Sequence, residues 1–574
     1  MNGCSVVRKS SAALLGAALC SGACGAGAEP DRVTTASDLV LYGRVWTGDS
    51  AKPWAQAVAV SGDTILAVGD SATIARTQDS GTRIIANGKA MVLPGFMDAH
   101  VHLLSSGFQI ARVNLRDADS PRDFVRRLKE HAATVPHGQW ITGGDWDHER
   151  WPGATLPNRS WIDSITPNNP VFVNRLDGHM SLANSAALRL AGIGRETPDV
   201  PGGTIVRDPR SREPTGVLKD NAREAVDRAI PGPSAAEDDS ALVRAMRWAV
   251  ARGVTAVGTM SNDPGKVAVA ESWRELAALK RAHDKGSMLI RVSAYVSLDA
   301  WRAMADTFRL RGPGDNWLRT AGVKGFVDGS LGSSTALFYE PYNDAPETSG
   351  LFVTPEDSLR AWIAGADSAG LQVVVHSIGE RANGVLLDIY DSVAKAHGVR
   401  DRRFRIEHAQ HLRKRDIARL GKSGVIASAQ PYHVIDDGRW AEKRVGPARI
   451  KTTHPYRSLL DNGAHLAFGS DWTVAPLDPI LGIYAAVTRR TLDDKNPEGW
   501  LPEQKISVEQ ALRAYTVTNA YGVFAESSRG KLAPGYLADL VLLDRNLTSI
   551  PPGKINQAQV RATVVGGKVV FQKE

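Results

Sequence analysis

A pair of histidines separated by one residue is the sharpest chemical feature of the sequence. His100 and His102 follow Asp98 within residues 94–102, at the end of an apolar segment. Alternate side chains of a β-strand share a face, so the two imidazoles and the carboxylate are expected on one side. Neutral imidazole is a common ligand of zinc and similar divalent ions. The pair indicates a metal site if further ligating side chains lie at the ends of other strands. Without such partners, two histidines at this spacing are more typical of an ordinary loop.

Candidate partners end three later strand-like segments. His376 follows three valines, His408 ends residues 404–408, and Asp471 ends residues 467–471. Singly, each is more typical of a structural residue. Together with the first pair they place imidazoles and a carboxylate at the carboxyl ends of strands, which is the face on which (β/α)8 barrels carry their active sites. The pattern predicts that these side chains meet.

Lys324 lies in another strand-like segment, residues 321–327. Alternation places it on the side of Phe326 and Asp328, facing the interior of a barrel. A buried ammonium without a partner is costly. An ion pair with Asp328 removes the problem, and so does carboxylation by CO₂, which makes the lysine an anionic ligand able to bridge two ions. From the residues alone, the ion pair is favoured.

Strand-like segments alternate with amphipathic helical stretches from residue 93 onward, a rhythm that indicates βα units and a parallel sheet. The predicted strands end near His102, Asn174, Thr259, Ser297, Asp328, His376, His408, Pro431 and Asp471. A (β/α)8 barrel needs eight. We assign the surplus strand, residues 171–174, to an inserted subdomain, because its surroundings are rich in Trp, Pro and Gly and poor in βα rhythm.

The predicted fold class is therefore α/β, with a TIM-like (β/α)8 barrel in residues 93–110 plus 241–524. The insertion after the first strand occupies residues 111–240 and covers the active-site face. Short apolar runs broken by Gly-Asp turns at both chain ends predict a small β-sandwich domain from residues 36–92 plus 525–574.

Residues 1–28 are typical of a signal peptide. Arg8 and Lys9 precede an apolar run at 12–19, and Ala26-Gly27-Ala28 forms an A-x-A cleavage site. The pattern predicts an exported protein, periplasmic or secreted. Lipid attachment at Cys24 is disfavoured, because Ser21 stands where a lipoprotein site usually has leucine. No later segment is long enough to span a membrane.

Composition narrows the functional classes further. The 574 residues are 43% hydrophobic and 23% charged, which is an ordinary globular balance. All three cysteines lie in the leader, so the mature chain has no disulfide, cysteine nucleophile or thiolate-bound zinc. The net charge of +7 is spread among acidic residues without a basic tail, so nucleic acid is not an expected partner. A small-molecule substrate is the expected partner. The oligomeric state stays open, and a homodimer is one of the possibilities.

Two further histidines are candidates for substrate contact. His179, in Asp177-Gly178-His179 of the insertion, either contacts substrate from above the barrel or has a structural hydrogen-bonding role. His433 follows the seventh predicted barrel strand and is placed to orient a carbonyl oxygen. Several tryptophans cluster in the insertion, where core packing is favoured over a wall of the substrate pocket.

These segments together resemble the amidohydrolase superfamily, and specifically its amidohydrolase-3 branch, which includes N-substituted formamide deformylase-like enzymes. The resemblance covers most of the chain. It is carried by residues 93–102, 177–179, 323–337, 376–380, 406–408, 428–431, 469–472 and 530–540. Glu380 departs from the pattern of this family, in which an aspartate is expected after His-x-Ile-Gly. Glutamate keeps the negative charge, so the change puts in doubt only a contact that this side chain makes behind the metal ligands.

The resemblance implies a hydrolytic site with one or two divalent ions. Its metal positions match His100, His102, Lys324, His376, His408 and Asp471. In this comparison Lys324 matches a carboxylated bridging lysine, and Asp471 is the acid that takes a proton from the metal-activated water and passes it to the leaving group. A histidine-rich set favours zinc, while manganese, iron and nickel stay open.

The implied activity is exported, metal-dependent hydrolysis of a C–N bond in an amide, an N-substituted formamide or a cyclic amide. An esterase or lactonase with the same site is one alternative. A metal-bound binding or regulatory protein without turnover is another, and the complete set of ligands together with the acid argues against it.

Overall fold

The computed structural model describes residues 36–148, 151–175, 180–200, 203–261, 265–332 and 334–573. The predicted signal peptide with Cys24 lies outside these residues, and so does His179. The first described elements are short apolar strands separated by turns. They are β1 (Leu39–Trp46), β2 (Trp54–Ser61), β3 (Thr64–Gly69), α1 (Ser71–Ala75) and β4 (Arg83–Pro94).

The chain then forms the first unit of a barrel. This unit consists of β5 (Phe96–Val101) and α2 (Leu103–Ala111), and every residue of β5 is buried. Burial on both sides is typical of a parallel strand covered by helices.

An insertion follows α2. Its elements are β6 (Val113–Asn114), α3 (Pro121–Ala132), β7 (Ile141–Trp146), β8 (Val171–Arg175), β9 (Met180–Ala183), α4 (Ser185–Leu190), β10 (Gly203–Arg207), β11 (Pro214–Asp220) and α5 (Glu224–Ala229). The strands form one sheet in the order β10-β11-β9-β8-β7-β6. The surplus strand of the sequence analysis is β8. Trp146 and Trp151 are buried in the core of this sheet.

The barrel resumes at α6 and continues to α17. Its elements are α6 (Ala235–Val250), β12 (Val254–Met260), α7 (Lys266–Asp284), β13 (Arg291–Ser297), α8 (Trp301–Arg311), β14 (Leu318–Phe326), α9 (Glu356–Ser368), β15 (Gln372–Ser377), α10 (Glu380–His397), β16 (Arg405–His408), α11 (Lys414–Ser423), β17 (Ile426–Ala429), α12 (Pro431–Asp437), α13 (Ala441–Arg449), α14 (Tyr456–Asp461), β18 (His465–Phe468), α15 (Pro479–Thr488), α16 (Val508–Ala514) and α17 (Val517–Gly522). Helix α6 begins six residues before the predicted boundary at 241, because Ser234 and Glu237 form a capping box.

Eight parallel strands form the barrel sheet in the order β18-β17-β16-β15-β14-β13-β12-β5. A parallel bridge between Val101 and Trp472, just beyond β18, brings the last strand next to the first. The predicted α/β fold with a TIM-like barrel is confirmed. None of the helices in the described ranges is long and apolar enough to cross a membrane.

The two chain ends meet in a separate sheet. The last strands are β19 (Leu540–Leu543), β20 (Val560–Val565) and β21 (Lys568–Gln572). The order is β21-β20-β19-β4-β1-β2-β3, so β19 pairs antiparallel with β4. This pairing fixes the residues directly before β5, and so helps to position the strand that carries the first histidine pair.

Candidate active site

The predicted site residues line one cavity at the carboxyl ends of the barrel strands. Its volume is about 440 Å³. Its polar lining includes His100, His102, Lys324, Asp328, His376, His408, Gln410, His433, Asp437 and Asp471. This is the face on which barrel enzymes carry their active sites.

Backbone hydrogen bonds between the first and last strands bring Asp471 to the first histidine pair. The N–H of Asp471 donates to the carbonyl of His100 at 2.8 Å, and the N–H of His102 donates to the carbonyl of Trp472 at 2.7 Å. As a result, Oδ1 of Asp471 lies 3.0 Å from Nε2 of His102 and 3.5 Å from Nε2 of His100. All three side chains are buried.

The outer ring nitrogen of each histidine is fixed by a partner behind the site. Nδ1 of His102 lies 3.0 Å from the carbonyl oxygen of Met260, which can only accept, so Nδ1 carries the hydrogen. Nδ1 of His100 lies 2.8 Å from the carboxylate of Glu407, and Glu407 in turn accepts from Arg405 at 2.8 Å. In the neutral rings, the Nε2 lone pairs therefore face Asp471.

The Glu407 contact gives a testable prediction. Glu407→Gln is expected to weaken metal binding by about 10- to 100-fold, because a carboxylate behind a ligating histidine sets its tautomer and basicity. The same change leaves the buried Arg405 without its counter-ion, which costs about 3 kcal/mol in the free energy of unfolding. Chelator competition and urea unfolding measure these two effects.

Glu526→Gln is the matched control for that prediction. Glu526 also forms an arginine pair, with Arg403, but it is 41% exposed and lies away from the cavity. It should leave metal affinity unchanged. Equal metal affinity in the Glu407 and Glu526 variants would contradict the assigned role of Glu407.

His376 and His408 extend the cluster. Their ring centroids are 4.4 Å apart, and His408 is 5.2 Å from His100. Nδ1 of His408 lies 2.9 Å from the amide oxygen of Gln430, while Nε2 of His376 lies 3.1 Å from the carbonyl of Gly329. Each ring therefore keeps one nitrogen for a ligand in the cavity.

Burial favours the neutral form of His376 and His408. It lowers the pKa of His376 to about 4, helped by the charge of Lys324, and it lowers the pKa of His408 well below the usual value. Burial alone would raise the pKa of Asp471, but the rings of His102 and His408 beside its carboxylate hold it below its ordinary range. Neutral imidazoles and an ionised carboxylate are the forms that bind a metal cation.

Two of these residues have left-handed backbone conformations. The φ angle is 75° at His408 and 60° at Asp471. Such angles are uncommon outside glycine, although His and Asp tolerate them better than most residues. Both residues lie at or just beyond the end of a strand, so the change of direction turns their side chains into the cavity. The local strain coincides with the site.

Lys324 is buried at the same point, as its alternation with Val323 predicts. Its Nζ lies 3.4 Å from Nε2 of His100. Asp328, the alternative partner from the sequence analysis, accepts backbone N–H groups from Leu337, Ile378 and Gly379. Burial raises the pKa of Asp328 to about 7, and these hydrogen bonds oppose the rise. Carboxylation of Lys324 stays a prediction.

His433 lies on α12, next to the cluster. Its ring is nearly parallel to that of His408 at a centroid distance of 6.3 Å. His408, His433 and Asp471 offer ligand atoms within 4.8 Å of one another. Nε2 of His433 is buried and has no hydrogen-bond partner in the described part of the chain. This nitrogen is available for a ligand in the cavity.

The geometry around Asp471 fits a bound divalent cation. Two ligands about 2.1 Å from one ion lie about 3.0 Å apart at a right angle and about 3.4 Å apart at the tetrahedral angle. The two contacts of Asp471 with Nε2 atoms, at 3.0 and 3.5 Å, match these separations. A carboxylate oxygen that faces two imidazole lone pairs also requires a cation, either a proton or a metal ion, between them.

Sequence reasoning missed several supporting residues. Glu407 and Gln430 were recognised only as parts of motifs, and Asp437 was not noticed. The available signals were Arg405-x-Glu407, whose side chains share a strand face, and His433-x-x-x-Asp437, whose side chains share a helix face.

A (β/α)8 barrel with buried imidazoles and an aspartate at the carboxyl ends of its strands defines the class of barrel metal-dependent hydrolases. The family model Amidohydro_3, which describes the amidohydrolase family, matches residues 84–571. The chain therefore belongs to the amidohydrolase family, as its motifs predicted.

Similar proteins are found in plants, bacteria and archaea. The chain is 41% identical over 536 residues to Protein LONG AFTER FAR-RED 3 of Arabidopsis thaliana, covering 93% of this chain and 91% of that one. It is 27% identical over 555 residues to N-substituted formamide deformylase of Arthrobacter pascens, covering 93% and 98%. The crystal structure of an uncharacterized metal-dependent hydrolase from Pyrococcus horikoshii OT3 has a TM-score of 0.72 and 29% identity, covering 90% and 99%.

Proposed function

We propose that this hydrolase cleaves a C–N bond in an amide, an N-substituted formamide or a cyclic amide. The observation that carries the proposal is the carboxylate of Asp471, held 3.0 Å and 3.5 Å from two imidazole nitrogens at the rim of the barrel. The similarity to the Arthrobacter pascens deformylase over nearly the whole of both chains supports a C–N bond.

The residues suited to hold a divalent ion are His100, His102, His376, His408 and Asp471, with Lys324 as a further ligand if it is carboxylated. A divalent ion bound there supplies Lewis acidity, which polarises a carbonyl group and lowers the pKa of water from 15.7 to about 7. Zinc is the ion that we propose, on the basis of the imidazole-rich donor set.

Asp471 is proposed as the group that moves the proton. It accepts a proton from the attacking water as the oxygen adds to the carbonyl carbon, and it then donates that proton to the nitrogen as the C–N bond breaks. The products are a carboxylic acid and an amine. We propose that Nε2 of His433, which is buried and has no hydrogen-bond partner among the described residues, donates a hydrogen bond to the carbonyl oxygen, on which negative charge develops.

Removing the metal is expected to abolish turnover. Dialysis against a strong chelator should reduce kcat to background and lower the melting temperature, because a ligand bound only by the folded state stabilises it. Adding back zinc, manganese, iron or nickel separately should restore activity with the native ion most effectively. Activity that survives in protein shown by elemental analysis to lack metal would contradict the proposal.

A matched substrate panel tests the type of bond. N-alkylformamides, N-acyl amines and cyclic amides are compared with esters and lactones of the same carbon skeleton. We expect amine release with a higher kcat/KM than alcohol release. Preferential cleavage of the esters or lactones would assign the site to the alternative activity, and binding without turnover of any member would favour a non-catalytic protein.

Export is proposed from the leader alone. The basic residues, apolar run and A-x-A site of residues 1–28 support cleavage before Glu29. The mass of the protein recovered outside the cytoplasm tests this, since an uncleaved chain would retain Met1.

A further inference from the structure

A second polar feature of the cavity lies on α12, apart from the candidate ligands. His433 and Asp437 are four residues apart on this helix, so they share a face, and both line the cavity. The rise along four helical residues is about 6 Å. His433 lies next to His408, and Asp437 comes one turn farther along the helix.

The carboxylate of Asp437 is held rigidly by two neutral donors. Its Oδ2 accepts from Nε2 of Gln410 at 2.5 Å and lies 3.0 Å from Nε2 of His454. Gln410 and His454 are themselves joined, since the N–H of His454 donates to the carbonyl of Gln410 at 2.7 Å. Burial lowers the pKa of His454 well below its usual value, so its ring is neutral.

The other oxygen of this carboxylate has no hydrogen-bond partner among the described residues. Across the described ranges, Oδ1 of Asp437 accepts from no group, and no lysine or arginine lies within ion-pair distance of the side chain. The side chain is 11% exposed, and it lines the cavity. A carboxylate with one open oxygen and no lysine or arginine beside it favours a positively charged partner, because pairing offsets the cost of burying its charge.

Among the described carboxylates that line the cavity, only Asp437 is left to bind a cation. Asp328 is occupied by three backbone N–H groups, and Asp471 by the histidine cluster. Asp436 pairs with Arg439. Trp440 also lines the cavity, and an aromatic face favours a cation nearby.

We infer that Asp437 is a specificity-determining residue that binds a basic nitrogen, such as an alkylammonium group, on the substrate. This inference rests on the proposed C–N hydrolase function and adds a substrate class to it: amides that carry a second, protonated amine. The cleaved bond lies at the histidine cluster, and the ammonium group lies about one helical turn away.

Two matched substrate pairs test the inference on the metal-loaded full chain. One compares N-formyl-1,4-diaminobutane with N-pentylformamide; the other compares the N-methylamides of 5-aminopentanoic and hexanoic acid. Within each pair, the two compounds differ only in an ammonium group that is replaced by a methyl group. The first pair carries this group on the amine side of the amide and the second pair on the acyl side, so both sides are tested. We expect the cationic member of at least one pair to have a kcat/KM about 10- to 100-fold higher, as for a hydrogen bond between charged groups.

The readout is the ratio of kcat/KM within a pair, measured for wild type and variants. Asp437→Asn should reduce the ratio to near 1, and Asp437→Glu should restore part of it. Asp436→Asn is the matched control on the adjacent residue and should keep the wild-type ratio. An unchanged ratio in Asp437→Asn, or an equal loss in Asp436→Asn, would overturn the inference, and circular dichroism and metal analysis establish that each variant is folded and loaded.

A binding measurement separates this inference from the proposed function. If the wild type cleaves no amide, the proposed function fails, and calorimetry with 1,4-diaminobutane and 1-pentanol then tests Asp437 directly. Binding of the diamine that is at least 10-fold tighter than that of the alcohol, and that is lost in Asp437→Asn, supports the cation site. Equal affinities for the two probes would refute it.

Discussion

Asp471→Asn is expected to lower kcat by about 10²- to 10⁴-fold, the range typical of removing a general acid–base group. The amide keeps the shape of the side chain and an oxygen that faces His100 and His102. It cannot take a proton from water at neutral pH, nor deliver one to the leaving amine. We therefore expect the metal to be largely retained while turnover is lost.

Three measurements define the outcome for this variant: kcat, metal content and the melting temperature. Asp461→Asn is a suitable control, because Asp461 is 55% exposed and pairs with Arg457 on the surface of α14. It should keep wild-type values for all three. Full activity of Asp471→Asn would remove Asp471 from the mechanism, whereas a large loss of metal would show that its main role is coordination.

The strand framework was the part most accessible from sequence. Buried parallel strands give continuous apolar runs, and the polar residue that follows each run marks its carboxyl end. This reasoning located His376, Asp471 and the first histidine pair, and the structure brings them together in one cavity. Short strands are harder to recognise in a sequence. The insertion, which the sequence describes as poor in βα rhythm, contains a six-stranded sheet, and α3 lies between its parallel strands β6 and β7.

The supporting groups could not be derived in the same way. Alternation alone places Glu407 and His408 on opposite faces of β16, and only the left-handed backbone at His408 turns its ring toward the other imidazoles. Gln410 and His454 are far apart in sequence, yet they hold the same carboxylate. Such contacts depend on loop paths after the strands, and a single sequence carries little information about those paths.

Lys324→Ala is the second prediction with a large effect. The Nζ of Lys324 lies 3.4 Å from Nε2 of His100. Burial is the main cause that lowers the pKa of His100 and His376, and the positive charge of Lys324 lowers both further. The same charge would repel a divalent ion beside these rings. Carboxylation joins CO₂ to the amine with loss of a proton, and replaces that repulsion with an anionic ligand. If it occurs, the alanine variant should bind fewer ions and lose about 10²-fold in kcat.

Rescue by small carboxylates distinguishes this hypothesis from the ion pair with Asp328. Acetate or propionate can enter the space left by the side chain and supply the missing anion, so they should restore part of the activity of Lys324→Ala. Carbon-13 bicarbonate should label the wild type at a carbamate carbon visible by NMR, and the label should be absent from the variant. Lys285→Ala, which removes a 63% exposed lysine paired with Asp239, controls for loss of charge. Unchanged metal content with no rescue would favour the ion pair, because that contact needs neither CO₂ nor a second ion.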